Sequence, residues 1–100
     1  MLGFAMRAGK LVLGTELVCR AMPTGRVLLT VISAGASEPT KKKLRTKSEF
    51  YSIPYVVVEI DTETLGAILG KSHATAAVAV TDSGFASEII KAANEPQPTI

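Results

Sequence analysis

The sequence predicts an α/β fold, a three-layer α/β/α sandwich with a mostly parallel central sheet of about four strands. Apolar runs rich in β-branched residues alternate along the chain with segments that have helical spacing. The 100 residues are 47% hydrophobic and 20% charged, which suits one compact domain with a buried core. We expect this domain to span residues 1–93 and residues 94–100 to form a frayed C-terminal tail.

The first quarter of the chain predicts a helix, a short extended segment and a second helix. Residues 2–8 are a short helix candidate, and residues 10–13 are predicted to be extended. Gly14 and Thr15 then provide a start signal for a helix over about 15–23, where apolar residues recur on one face.

The middle of the chain predicts the central strand and a basic helix. Residues 27–32 (VLLTVI) form a nearly continuous apolar run, which is typical of a strand buried on both faces. A loop of small residues follows, and Ser37 can cap a helix whose first turn accepts Pro39. That helix carries a cluster of cationic side chains over residues 41–47.

The second half predicts two more buried strands and two more helices. The strands cover residues 54–58 and 75–80. Asp61 and Thr62 indicate the start of a helix over about 62–69, which ends at Gly70, and the last helix covers residues 85–93. Because strands and helices alternate, right-handed crossovers would place helices on both faces of the sheet.

The net charge of +2 is divided unevenly along the chain. Residues 1–50 hold nine cationic side chains and three carboxylates, a net charge of +6, whereas residues 51–100 hold two and six, a net charge of −4. Such an asymmetry marks part of the surface as attractive to polyanions. Taken alone, a chance imbalance on a solvated face explains it equally well.

Composition argues against several classes of protein. No run of about 18 consecutive apolar residues occurs, so we expect no membrane partner. Arg7 and Lys10 interrupt the N-terminal segment where a secretory signal needs apolar residues, so we expect a cytoplasmic location. Cys19 is the single cysteine and His73 the single histidine, which leaves no disulfide and no Cys/His zinc cage to assemble. We expect neither a metal nor another cofactor.

The Gly70-Lys71-Ser72 segment is similar to the end of a phosphate-binding P-loop, whose full pattern is G-x-x-x-x-G-K-[ST]. The preceding glycine, Gly66, leaves three intervening residues instead of four, and the segment follows a predicted helix instead of a strand. A helix that ends at a left-handed glycine cap is the better interpretation. A nucleotide-dependent regulatory domain would rest on analogy of fold alone.

Asp82 follows the last predicted strand, where sheets of this kind can carry a phospho-acceptor aspartate. Such a site needs further carboxylates to bind a divalent cation, and residues 11–13 (LVL) offer none. We therefore expect Asp82 to act as a turn or cap residue before the last helix. With one histidine, one cysteine and no convincing acid pair, the sequence predicts that the protein is not an enzyme.

Five motifs occur along the chain in a characteristic order and spacing. They are LGFAMRAGK at 2–10 followed by Gly14 and Thr15, VISAGAS at 31–37 followed by KKKL at 41–44, IPY at 53–55, LGAILGK at 65–71, and AVAVTDSGFA at 77–86. Together they resemble the ribosomal L7Ae/L30e superfamily of kink-turn RNA-binding proteins, and within it the bacterial YlxQ-like branch. The resemblance covers roughly residues 2–93.

The resemblance implies a non-catalytic protein that binds a kink-turn, an internal loop where the RNA backbone bends sharply beside tandem sheared G·A pairs. In this family the Gly-Thr helix start enters the groove at the kink, and a later loop, here residues 70–74, covers a base turned out of the stack. The expected partner is structured RNA, with ribosomal RNA as one candidate, and not DNA, and the expected state is a monomer. The RNA-binding residues that the resemblance and the charge pattern imply are Lys10, Gly14, Thr15, Glu16, Arg20, Ser33, Ala34, Gly35, Lys41, Lys42, Lys43, Gly70, Lys71, Ser72 and His73.

Physical chemistry agrees with this assignment. A helix N-terminus presents free backbone N–H groups and the positive end of a dipole to an anionic backbone, and a glycine there lets the RNA approach without a Cβ in the way. RNA is recognised best where bases are unstacked or grooves are distorted. Lys10, Arg20 and residues 41–43 would add the salt-dependent part of the affinity by binding phosphates.

The sequence departs from the family pattern at two places, and the first of them, at Glu16 and Leu17, supports a second hypothesis. The commonest archaeal and eukaryotic form has Gly-Thr-Asn-Glu and a basic residue three positions on. Here Glu16 and Leu17 follow Thr15, while Arg20 keeps the basic position, and an ionised glutamate can only accept hydrogen bonds. Lys71 and His73 stand where the family often has apolar residues, and an ordinary exposed loop histidine is the simpler interpretation of His73. The alternative hypothesis is a ribosome-associated protein-interaction scaffold with the same fold and little RNA selectivity.

Overall fold

The computed structural model describes residues 9–70 and 73–94. The predicted helix over residues 2–8 and the tail from residue 95 onward lie outside these ranges. Within them the elements are β1 (Leu11–Leu13), α1 (Thr15–Ala21) continued by a 3-10 turn (Met22–Thr24), β2 (Leu29–Ser33), α2 (Glu38–Phe50), β3 (Tyr55–Val58), α3 (Thr62–Ile68), β4 (Ala77–Val80) and α4 (Ser83–Asn94). No helix in the described ranges is long and apolar enough to cross a membrane.

The four strands form one sheet in the order β1-β4-β2-β3. The β2–β3 pair is parallel, whereas β4 is antiparallel to both β1 and β2. The sheet is therefore mixed, and the prediction of a mostly parallel sheet is wrong. The reason lies in the connection that follows β3. The Thr75 N–H donates to the Thr62 carbonyl at 2.9 Å, so the chain has returned to the start of α3 before β4 begins, and β4 must run in the opposite direction.

The sandwich itself is confirmed, because alternate residues of the central strands enter two separate cores. Ala77 and Ala79 of β4 face α1 and α2, while Val78 and Val80 face α3 and α4. The first core is completed by Val18, Met22, Val27, Ile32, Leu44 and Ile53, and the second by Leu29, Val31, Leu65, Leu69, Ala86 and Ile89. Burial on both faces explains why β2 and β4 are apolar throughout.

The third strand departs from its prediction as a buried strand. β3 pairs only with β2 and forms an edge of the described sheet. Its residues are mostly half-buried, and Val57 is 43% exposed. An apolar run thus indicates a strand but does not separate an edge from a centre, because β-branched residues suit both.

The predicted caps are present. The Thr40 N–H donates to the Ser37 hydroxyl at 3.3 Å and starts α2. The Thr64 N–H donates to an Asp61 carboxylate oxygen at 2.7 Å and starts α3. These bonds satisfy backbone donors that the first turn of a helix leaves free, so they fix where each helix begins.

Candidate functional site

Four chain segments meet where β1, β2 and β3 end and β4 begins: residues 13–15, 33–36, 58–62 and 73–77. We call this end of the strands the site edge. The Gly14 N–H donates to the Ala77 carbonyl at 3.0 Å, and the Ser33 N–H donates to the Ala76 carbonyl at 2.9 Å. They meet because β4 runs opposite to its neighbours, so its first residues lie between the last residues of β1 and β2.

A groove of ≈ 800 Å³ opens at the site edge. Its walls are residues 11–17, which include the start of α1, and residues 73–76, which lead into β4. The two segments that the sequence predicts to act together, around residues 14–16 and at His73, therefore lie in one groove. Lys71 and Ser72 lie outside the described residues.

Gly14 forms the tip of the wall that α1 provides. Its φ of 94° and ψ of 146° are in a region that residues with a Cβ avoid, so the backbone here requires glycine. A Cβ placed on Gly14 would meet nothing within 4 Å, which means that the tip is open on that side. No side chain among the described residues caps α1, so its first N–H groups face the groove region uncapped.

The side chains on α1 present mixed chemistry beside this tip. Thr15 is half-buried, Glu16 is exposed, and Leu17 is 54% exposed. Arg20 is exposed in the last turn, four residues after Glu16, so both side chains lie on the same side of the helix. The carboxylate suits the positive end of the helix dipole but repels phosphate, whereas Arg20 attracts phosphate.

The loop after β2 is held by two side chains that the sequence predicts to contact RNA. The Ser33 hydroxyl is fully buried, donates to the Ile60 carbonyl at 2.5 Å and accepts the Gly35 N–H at 3.1 Å. The Lys41 ammonium donates to the Ala34 carbonyl at 3.1 Å and lies 3.5 Å from the Glu38 carboxylate. Both groups brace the loop, and the exposed surface is left to Gly35 and the next two lysines.

The remaining predicted cations lie in different places. Lys42 and Lys43 are exposed in the first half of α2, which packs beside α1 on the same face of the sheet. Lys10 is exposed at the other end of β1, where its carbonyl accepts the Thr81 N–H at 3.0 Å. The structure therefore does not bring Lys10 to the site edge.

One residue that supports the groove is missed in the sequence analysis. We call residues 73–76 the loop wall of the groove. Gly66, in α3, packs against this wall so closely that a Cβ on Gly66 would come within 2.2 Å of the His73 carbonyl oxygen. The available signal is a glycine inside a short helix, which costs helix stability and calls for a packing reason.

The motifs that resemble catalytic sites have structural roles. Gly70 has a φ of 74° and its N–H donates to the Ala67 carbonyl, as a glycine that ends a helix does. Asp82 accepts the Phe85 N–H at 3.0 Å, which confirms it as a cap of α4. Among the described residues, no group of three or more His, Cys, Asp or Glu side chains could hold a metal ion.

Comparison with known proteins gives one family. The model of the ribosomal protein L7Ae/L30e/S12e/Gadd45 family matches residues 1–90. The chain is 41% identical over 90 residues to the RNA-binding protein YlxQ of Bacillus subtilis (strain 168), covering 90% of this chain and 88% of that protein. It is 29% identical over 79 residues to the large ribosomal subunit protein eL30 of Sulfolobus acidocaldarius, covering 79% and 76%.

Solved structures agree with the fold. A protein of unknown function from Bacillus halodurans superposes with a TM-score of 0.87 at 38% identity, covering 94% of this chain and 93% of that one. The Giardia lamblia 15.5kD RNA binding protein superposes with a TM-score of 0.73 at 17% identity, covering 90% and 75%. At that identity the second similarity shows a shared fold alone.

Proposed function

Because the chain belongs to the ribosomal protein L7Ae/L30e/S12e/Gadd45 family, we propose that it is a non-catalytic, cytoplasmic RNA-binding protein whose target is a kink-turn. The observation that carries this proposal is the groove between residues 14–17 and residues 73–76. The groove joins an uncapped, glycine-led helix tip to a loop, and cationic side chains lie on the helices beside it.

The groove fits bent RNA better than a regular duplex. Sequence-specific proteins reach RNA bases mostly where they are unstacked, since the deep major groove of an A-form helix is too narrow for side chains. A sharply bent internal loop opens the major groove of the RNA and brings phosphates close together. The tip of α1 offers backbone N–H groups without a Cβ at Gly14, so a bent backbone can approach them closely.

The charged residues divide the recognition between them in this proposal. Arg20 lies on the same side of α1 as Glu16, one turn further along the helix, and contacts the RNA at the kink. Lys42 and Lys43 neutralise phosphates away from the kink and contribute nearly the same energy to any RNA. Glu16 faces base edges as an acceptor and excludes phosphate from its side of the tip.

The names of relatives support RNA as the class of partner. The Bacillus subtilis relative and one from Enterococcus faecium, 33% identical over 88 residues, are both named RNA-binding proteins. The preference for a kink rests on the groove and on the resemblance of the motifs. Structured RNA, with ribosomal RNA as one candidate, is the partner that we propose.

The proposal is tested by fluorescence anisotropy with a minimal kink-turn and an unkinked duplex of equal length and end structure. We expect the kinked RNA to bind about tenfold more tightly or better, because one or two additional charge-assisted contacts supply that difference. Equal affinity for both RNAs at the same salt concentration would contradict kink recognition.

A second candidate function is a protein-interaction scaffold, and Leu17 favours it. This side chain is 54% exposed at the mouth of the groove, at a position where the resemblance to archaeal and eukaryotic members implies a polar reader. If the protein is a scaffold, protein partners captured in a pull-down should remain bound after nuclease treatment. A Leu17→Ser variant should no longer capture them.

A further inference from the structure

The basic helix α2 ends in an exposed aromatic pair that the groove does not use. Phe50 is 78% exposed, more than the other exposed large apolar residues of the described chain. The neighbouring ring of Tyr51 meets it edge-to-face, with centroids 4.9 Å apart and planes at 88°. An aromatic side chain this exposed does not gain the free energy of burial, so its role lies outside the core.

The backbone beneath the pair is held firmly. The Ile53 N–H donates to the Ser48 carbonyl at 2.7 Å, and the Ser52 N–H donates to the Glu49 carbonyl at 3.1 Å. These two bonds and the left-handed Ser52, with a φ of 56°, form a Schellman ending, although Ser52 is not glycine. Ile53 is buried in the core beside Leu44. Phe50 therefore projects from a fixed position.

Cationic side chains lead along the helix to Phe50. Lys43, Lys47 and Phe50 are spaced i, i+4 and i+7, so they form one stripe on the surface of α2. Apart from Lys41 and Glu38, which pair with each other, the helix carries four cations (Lys42, Lys43, Arg45, Lys47) against Glu49. A positive stripe that ends in an open aromatic ring suits a single-stranded nucleic acid, which offers phosphates and bases in succession.

We propose that Phe50 stacks on an unpaired base of an RNA strand that continues from the kinked element along the Lys43–Lys47–Phe50 stripe. The inference rests on the proposed function, since the groove anchors the RNA from which the strand extends. α2 runs away from the site edge for 13 residues, about 20 Å. A strand of about six nucleotides at 3.4 Å per nucleotide spans that distance.

Charge selects RNA over a protein as the occupant. Lysine is depleted in protein–protein interfaces, so a protein that covers Phe50 would need acidic residues to match the cations beside it. A phosphate backbone matches these cations directly. The other face of the sheet provides an internal contrast. Ile68 of α3 is 44% exposed but lies on a helix whose first turn is acidic and which has no basic residue in its last turn, so it offers no such stripe.

The test measures affinity for a blunt-ended kink-turn and for the same kink-turn with an unpaired extension of about six nucleotides on either strand. We expect one extension to raise the affinity of the wild-type protein. Phe50→Ala should remove about 5-fold or more of that gain, because stacking on an aromatic ring is sequence-tolerant and strong, while leaving blunt-ended binding unchanged. Phe50→Trp should keep the gain.

Two further measurements separate stacking from a structural role. A 2-aminopurine in the extension should be quenched by the wild-type protein and not by Phe50→Ala. Lys47→Ala should make the log-log salt slope for the extended RNA less negative by about 0.7 and leave the slope for blunt RNA unchanged. Ile68→Ala is the matched control, an exposed apolar residue on the opposite face that should change neither affinity.

Each contrary outcome has a distinct meaning. If neither extension raises wild-type affinity while the kinked RNA is still preferred over the duplex, the inference is overturned and the proposed function stands. If the wild-type protein does not prefer the kinked RNA, the proposed function fails, and this is read from the blunt RNAs without reference to Phe50. If Phe50→Ala dissociates a dimer in sedimentation without altering RNA affinity, the aromatic pair contacts a second copy and the inference is wrong.

Discussion

The carbonyl oxygen of His73 lies 2.2 Å from the position that a Cβ on Gly66 would occupy. The two residues join α3 to the loop wall of the groove, and no space remains between them. The atom in the way belongs to the backbone, so it cannot move aside as a flexible side chain would. The shape of the groove therefore depends on a glycine that does not line it.

Replacing this glycine should damage both stability and the groove. We expect Gly66→Ala to lower the free energy of unfolding by about 1–3 kcal/mol, as overpacking in a tight site does, and to weaken binding of kinked RNA. Urea unfolding followed by circular dichroism measures the first effect and anisotropy the second. Ala67→Ser, at the exposed neighbouring position, is the control, and equal behaviour of the two variants would contradict the close packing.

The conformations of Gly14 and Gly25 predict that substitution of Gly14 lowers the free energy of unfolding more than substitution of Gly25. Both Gly14 and Gly25 have positive φ and open space around a Cβ, so a substitution tests conformation without a clash. Gly14→Ala should cost about 1–3 kcal/mol, because its φ and ψ are nearly reserved for glycine. Gly25 is in the ordinary left-handed region, which asparagine tolerates, so Gly25→Asn should cost less. Chemical denaturation of both variants provides the comparison, and an inverted order would contradict the requirement for glycine at position 14.

Arg20 and Lys42 should affect different properties of RNA binding. We expect Arg20→Ala to weaken binding of the kinked RNA about tenfold and of the unkinked duplex much less, since its contact depends on the bend. Lys42→Ala should weaken both RNAs alike and make the log-log salt slope less negative by about 0.7–0.9. Titrations at several salt concentrations measure both effects, and the reverse pattern would place the kink on α2 instead of α1.

The cap at Asp61 predicts a dependence of stability on pH. Hydrogen bonds from the backbone N–H and the side chain of Thr64 lower the pKa of the Asp61 carboxyl below its usual value, and they outweigh the opposing effect of desolvation. Because the folded pKa is the lower one, the stability that the carboxylate contributes is present above the unfolded pKa and is lost as the pH falls through the folded pKa.

An Asp61→Asn variant keeps a capping oxygen but cannot titrate. We expect its unfolding midpoint in urea to vary less with pH than that of the wild-type protein in the acid range below about pH 5. Glu63→Gln, in the same first turn, is the control for a loss of charge without loss of a cap. An identical acid profile for Asp61→Asn and the wild-type protein would exclude the capping carboxylate as the cause.

Much of the architecture follows from local chemistry in the sequence. Ser37, Asp61 and Asp82 are caps because their side chains can accept a backbone N–H at the start of a helix, and a single sequence shows this directly. The apolar runs of β2 and β4 likewise predict buried strands, because a strand covered on both faces is apolar throughout. These features depend on neighbours within a few residues.

The features that escaped prediction depend on distant neighbours. The direction of β4 is set by the return of the chain from α3 to Thr75, and the sequence does not state how far a seven-residue helix carries the chain across a sheet. The Lys41 ammonium donates to the Ala34 carbonyl, and charge alone could not separate a free cation from one that braces a loop. The constraint on Gly66 likewise involves a loop that comes later in the chain.

The placement of β4 has a consequence for when the protein can act. The two walls of the groove are separated by more than half of the sequence, and the Gly14–Ala77 hydrogen bond closes it only after the last strand has been synthesised and inserted between its neighbours. A nascent chain that ends before this strand contains the helix tip and the basic helix but lacks the opposing wall. The groove proposed to bind RNA therefore forms only once β4 has completed the sheet, so the proposed binding depends on folding of the whole sheet.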